Sequence, residues 1–214
     1  MRKKVKSYFI FTSRLYRWVL FAIVPALLVM VQIVLHLDSL FLMTLINAIV
    51  YACAEILLDY WVFGGIAVKG GTQLEYIKTS GRGVGVIGTA LSVDMVRQFF
   101  MTIVLLVANI VILVCQGGTI ECSPNQIAIV LVLPVMAYFI TVTELTIIRH
   151  LDSLQVNLLA SYFVPFLFAG GIALAVLNAY VVLAVLVVLS IVSSILGVKL
   201  ILKRVKESYY DRTA

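Results

Sequence analysis

Charge is what this sequence has least of. Asp, Glu, Lys and Arg make up 12% of its 214 residues, about half the share of an ordinary soluble domain. Apolar residues make up 63% and mean hydropathy is +1.14, so the solvent of this chain is a bilayer. Histidine is nearly absent. His36 and His150 are the two present, and they fall on opposite sides of the membrane in the topology derived below, which excludes a shared metal site. Cysteine is also sparse. Of the three, Cys53 sits in an apolar run and reads as packing, whereas Cys115 and Cys122 face outward and could pair in an oxidising compartment. No polar stretch is long enough for a soluble domain, and residues 64 to 94 form the longest one.

What is present is a series of apolar runs of about 20 residues, the length that crosses a hydrocarbon core as helix. The expectation is an all-α, polytopic membrane domain of six spans. They cover 18–37 with Pro25 and Gln32, 40–63 with Asn47, Glu55 and Asp59, 95–115 with Arg97, 127–148 with Pro134 and Glu144, 154–177, and 180–202. The last two form a hairpin whose turn, around Asn178, is nearly absent. A 203–214 tail follows. Pro165 and Gly170-Gly171 predict a kinked or broken fifth span, whose freed backbone groups need a protected or wet setting. The first run is too long for a secretory signal and lacks a clear cleavage site, so it is kept as a helix.

Orientation follows from the cations. With the amino terminus inside, all 16 Lys and Arg fall in or beside cytoplasmic segments: the leader, the 64–97 region, Arg149, and Lys199 onward. Both termini are therefore placed in the cytoplasm. Membrane topology accounts for the net charge of +6, and nucleic-acid binding is rejected. Residues 1–17 read as an amphipathic interfacial helix on the inner leaflet, with Val5, Tyr8, Phe9, Leu15 and Tyr16 on one face and Arg2, Lys3, Lys6, Arg14 and Arg17 on the other. A disordered basic leader is the plainer alternative.

The long loop, 64–94, carries its own helix signal. Thr72-Gln73-Leu74-Glu75 fits a capping box and Gly81 a stop, which predicts about two turns over 73–80. Gly83-Val84-Gly85-Val86-Ile87-Gly88 matches a dinucleotide fingerprint in letters, but it runs from a loop into a span rather than from a strand into the helix of a βαβ unit. Its glycines read as a flexible connector. Thr89 stands where a phosphate loop needs lysine, so the chain has no ATPase motif of its own.

Charges within the spans cost a few kcal/mol each and are functional candidates by default. Glu55 and Asp59, four residues apart, share a helix face. With Arg97, Glu144, Asp94 and Arg149 they are placed to form one cluster at the inner leaflet. Two readings stay open: salt bridges that hold helix ends in register, or a pathway and transmission element in which Glu55, the deepest, matters most. No catalytic, cofactor or metal-ligating set stands out. On the last span, Ser190, Ser193, Ser194 and Gly197 are a helix-packing signal, within the bundle or at a dimer face.

This organisation resembles the membrane (permease) subunit of an ATP-binding-cassette exporter of the type-2 class. The resemblance rests on the basic leader, six spans with both ends inside, and a short capped helix between spans two and three. The strings Asp59-Tyr60-Trp61-Val62-Phe63-Gly64-Gly65 and Leu74-Glu75-Tyr76-Ile77-Lys78-Thr79-Ser80 also look like bacterial membrane proteins of such export systems. It implies a separate ATPase subunit that meets Thr72, Leu74, Glu75, Tyr76, Ile77 and Lys78, a second membrane subunit of the same or a similar kind, and no cofactor in this chain. The implied cargo is amphipathic, lipid-like or peptide-like, moved by alternating access. The turn between spans five and six is too small for the outer re-entrant element of that class, unless the 165–171 break supplies it. Two other readings remain: the substrate-binding membrane subunit of an energy-coupling vitamin importer, and a membrane-embedded lipid-modifying enzyme using Glu55, Asp59 and Glu144.

Overall fold

A computed structural model describes residues 8–9, 11–63, 77, 79–80, 82–117, 123–149, 151 and 153–210. Helix α1 is Arg14–Leu35. Ser13, in extended conformation, starts it by accepting from the Tyr16 amide at 3.1 Å, as N-caps do. Its Val19–Ile23 stretch widens to a π-helix just before Pro25, which lacks the amide an α-turn would use. Helix α2 is Leu40–Asp59, capped by Ser39. Helix α3 is Gly83–Cys115. Helix α4 is Pro124–Ile148, capped by Ser123 with Pro124 in its first turn, where a missing amide costs nothing. Helix α5 is Leu154–Tyr210.

These five helices are long and apolar enough to cross a membrane, and no strand occurs among the described residues. The two spans expected at the carboxyl end therefore appear as one run, interrupted at Asn178, whose backbone is extended (φ −159°, ψ 94°). Its side-chain oxygen accepts from the Val181 amide at 3.2 Å, so Asn178 caps the second arm of α5. The run doubles back there. Gly171 packs against Met136 and Ser194 bonds Tyr138 at 2.8 Å, although a straight helix would separate residues 171 and 194 by roughly 35 Å.

Three expectations need correction. The fifth span is unbroken at Pro165 and Gly170-Gly171, and Gly171 instead leaves room for the Met136 sulfur, which a Cβ would overlap. The 83–88 glycines are no connector, since α3 begins at Gly83 rather than Met95. Ile87, Gly88, Ala90, Leu91 and Asp94 form a buried face there at helical spacing, and a Cβ on Gly88 would come within 2.8 Å of Leu202. The 1–17 segment is not one two-faced helix. The chain leaves helix at Thr12 and Ser13, Tyr8 and Tyr16 are buried, and Phe9 and Leu15 are exposed. The 73–80 helix falls largely outside the described residues, as does Cys122; Cys115 is an exposed free thiol.

Gly83, Asp59, Arg149, Leu154 and the end of α5 lie at one end of the bundle, called here the cation-rich end. Tyr8, Tyr16, Leu20, Phe63, Ile87, Ala90, Leu91, Ile201 and Val205 form its apolar layer. A second core, including Ala52, Ile56, Leu133, Ala137 and Phe168, joins α2, α4 and the first arm of α5. The outer surface remains oily, with Leu177 at 81% and Phe166 at 73% exposure, which suits contact with hydrocarbon rather than water.

Candidate functional site

Directly beside the apolar layer of the cation-rich end lies a buried ionic cluster. Asp59 closes α2, Glu55 sits one turn earlier, Asp94 and Arg97 face them from α3, and Arg149 caps α4. Glu55, Asp59, Asp94 and Arg149 are each at most 2% exposed. The Arg97 guanidinium forks onto Glu55, at 2.5 Å to Oε1 and 2.7 Å to Oε2. It also donates to Asp94 Oδ1 from Nη2 at 2.8 Å and from Nε at 3.1 Å. Arg149 donates to Asp59 Oδ1 at 2.7 Å and to Asp94 Oδ2 at 2.5 Å. Asp94 is thus the bridge between the two arginines, and Gln98 supports its Oδ2 from one turn away at 3.0 Å.

Aromatic rings complete the enclosure. Arg149 lies over the Phe63 ring at 4.7 Å and Arg97 over Phe21 at 5.6 Å, both within cation–π range. The Tyr51 hydroxyl donates to Glu55 Oε1. Burial opposes the charge on Arg149, but the Asp59 and Asp94 carboxylates hold its pKa above the ordinary arginine value, so it stays a cation. Burial likewise keeps Tyr8 a neutral phenol, with Arg97 opposing and failing to reverse that effect.

Three carboxylates face two guanidiniums, which leaves one negative charge in excess. Each carboxylate oxygen of the three accepts at least one of these bonds. Such a lattice fastens three helices, and an arginine competes with any proton or metal for every one of the six carboxylate oxygens. Removing one partner from a buried ion pair costs about 3–5 kcal/mol. Of the six charges expected at this level, the structure brings five together. Glu144 stays apart: it is half-buried, and its Oε2 has no hydrogen-bond partner.

The segment between α2 and α3 meets the adjoining apolar layer and the start of α3 through its last residues. Ile77 packs on the apolar layer, the Ser80 hydroxyl donates to the Ile77 carbonyl at 3.0 Å, and the Gly83 amide donates to the Ser80 carbonyl at 2.8 Å. Gly83 is required at this approach, because a Cβ there would overlap the Ile77 carbonyl. Among the residues named for the loop contact, Thr72, Leu74, Glu75, Tyr76 and Lys78 lie outside the described residues.

A second polar cluster, farther from the cation-rich end, has a weaker sequence signal. Asn109 on α3 accepts from Gln32 of α1 at 3.0 Å and from Asn47 of α2 at 2.6 Å, and donates to Thr44 at 3.3 Å. Gln32 also reaches the Met43 carbonyl at 3.3 Å. The available signal was one amide in each of three apolar runs, visible singly but without any spacing to connect them. Compared with known protein families, curated proteins and solved structures, the chain shows no match.

Proposed function

We propose that this chain is the permease subunit of an ATP-binding-cassette exporter, driven by a separate ATPase subunit. In this reading it crosses the cell membrane six times, the two arms of α5 counting separately, with both termini in the cytoplasm. The cation-rich end is then the cytoplasmic face. The observation that carries the reading is the direct seating of Ile77 and Ser80 against the first turn of α3, with Ile77 also on the apolar layer. That turn is three helical turns from Asp94, the bridge of the ionic cluster. Displacing the loop therefore moves α3 together with a clamp that also grips α2 and α4, which is the mechanical link a loop-docked motor requires.

The ATPase would meet Thr72, Leu74, Glu75, Tyr76, Ile77 and Lys78, and a second membrane subunit, the same chain or a similar one, would complete the path. The cargo is amphipathic, lipid-like or peptide-like. Membrane lipid surrounds the rest. Against the lipid-enzyme reading, which uses Glu55, Asp59 and Glu144, both oxygens of Glu55 and of Asp59 already accept from arginine, and Glu144 stands apart from them. To test the proposal, Glu75 and Lys78 are replaced together and ATP hydrolysis is measured alongside export. Hydrolysis uncoupled from export in a folded protein is the expected result, and unchanged coupling overturns the proposal. For the vitamin-importer reading, the decisive result would be a small soluble ligand held tightly by the chain purified alone.

A further inference from the structure

Two cavities on the far half of the bundle adjoin, bordered in common by Leu106 and Leu131, and we read them as two chambers of one cleft. One, about 830 Å³, opens at the end opposite the ionic cluster, between the start of α2, the end of α3, the start of α4 and the first arm of α5. The other, about 600 Å³, is walled by α3, α4 and the second arm of α5. Leu106 and Leu131 line both, so the two chambers meet at these side chains. Along α3 the lining runs from Phe99 to Gln116, roughly 25 Å at helical rise.

The two chambers differ in chemistry. The one against the second arm of α5 is walled mostly by apolar side chains, with Thr102, Tyr138, Ser190 and Ser194 as its polar residues. The mouth is more polar, with Asp38, Ser39 and Gln116 among an otherwise largely apolar lining. Both side-chain polar atoms of Gln116 are buried without a hydrogen-bond partner, and turning that amide into the mouth would let a bound polar group relieve the deficit. Among the described residues, the mouth's lining includes one acid, Asp38, and no Lys or Arg. An anionic headgroup would find no counter-charge there, whereas an ammonium would face Asp38.

We propose that this cleft binds an amphipath with a cationic head and a single apolar tail, the head at Asp38 and Gln116 and the tail passing Leu106 and Leu131. That it is cargo rests on the permease reading; that it binds does not. The test uses the full chain in nanodiscs of phosphatidylcholine without any ATPase. The probes are a hexadecyl-ammonium amphiphile with a photoreactive group in its tail and its carboxylate twin. Adducts are mapped by mass spectrometry. The ammonium probe is expected to label α3 and α4 at the cleft in preference to its twin. Leu106→Trp, which fills the junction, should lower labelling about tenfold. Asp38→Asn, at an exposed rim, should lower it about threefold. Equal labelling by the twin, or labelling indifferent to Leu106→Trp, overturns the proposal. If Leu106→Trp instead converts a two-copy particle to a single copy with labelling unchanged, the cleft is an interface between copies and the proposal falls. Because no ATPase is present, a negative result here leaves the permease reading standing, and a missing ATPase partner leaves this site standing.

Discussion

The bundle is tied at two levels by polar groups, and the two ties are built differently. Near the cation-rich end, full charges on α2, α3 and α4 engage one another, with ten hydrogen bonds reaching the three carboxylates, while Arg149 Nη1 and Gln98 Oε1 have no partner. Farther along, neutral amides on α1, α2 and α3 meet around Asn109, and Gln32 Oε1 and Asn47 Oδ1 are left without partners. A buried charge without its partner costs several kcal/mol, whereas a half-satisfied amide costs far less. The ionic level can therefore hold only one arrangement, while the amide level tolerates adjustment. A transporter that opens at one end and pivots at the other would need that asymmetry.

The largest expected effect breaks the ionic level. Arg149→Leu takes from Asp59 its arginine partner and leaves Asp94 with Arg97 alone, and should cost about 3–5 kcal/mol. Denaturant unfolding in micelles measures this, and Arg149→Lys, which keeps the charge but loses the fork, should recover only part of it. Glu55→Gln sharpens the comparison within the cluster. It removes the excess negative charge while keeping the shape, so it should cost about 1–3 kcal/mol, less than Arg149→Leu in the same assay. If acid and arginine variants cost the same, the excess of negative charge has no energetic meaning.

Breaking the amide level should matter less. Asn109→Leu removes its three side-chain contacts at once, yet polar contacts between membrane helices average about 0.6 kcal/mol, so about 1–2 kcal/mol is expected in that assay. The smallest stability change belongs to Gly83→Ala. It should leave the helices packed, since the Cβ meets the 77–80 segment rather than a core side chain. Its effect should appear instead as faster proteolysis of the loop.

The hydrophobic helices were legible because a bilayer demands long apolar runs, and the five clustered charges were legible because membrane spans hold so few. Other features were not. The start of α3 hid behind Gly83, Gly85 and Gly88, which read as loop, whereas Gly83 here admits Ile77 and Gly88 lets α3 pack closely on α5. Glu144 was grouped with the ionic cluster by depth alone, and depth does not say which face of α4 a side chain takes. The amide cluster brings together positions 32, 47 and 109, and nothing local to any of them announces the others. Asn178 was rightly singled out as the turn, yet its capping bond lets the turn consist of a single extended residue.

The central claim is that a motor on another chain drives this bundle through the segment between α2 and α3. The most direct measurement extracts the protein from its native membrane in several mild detergents and identifies what accompanies it by mass spectrometry. The account predicts an ATP-binding-cassette ATPase in stoichiometric amount, released when Glu75 and Lys78 are both replaced. Recovery of the intact protein with no ATPase in any of those detergents would contradict it.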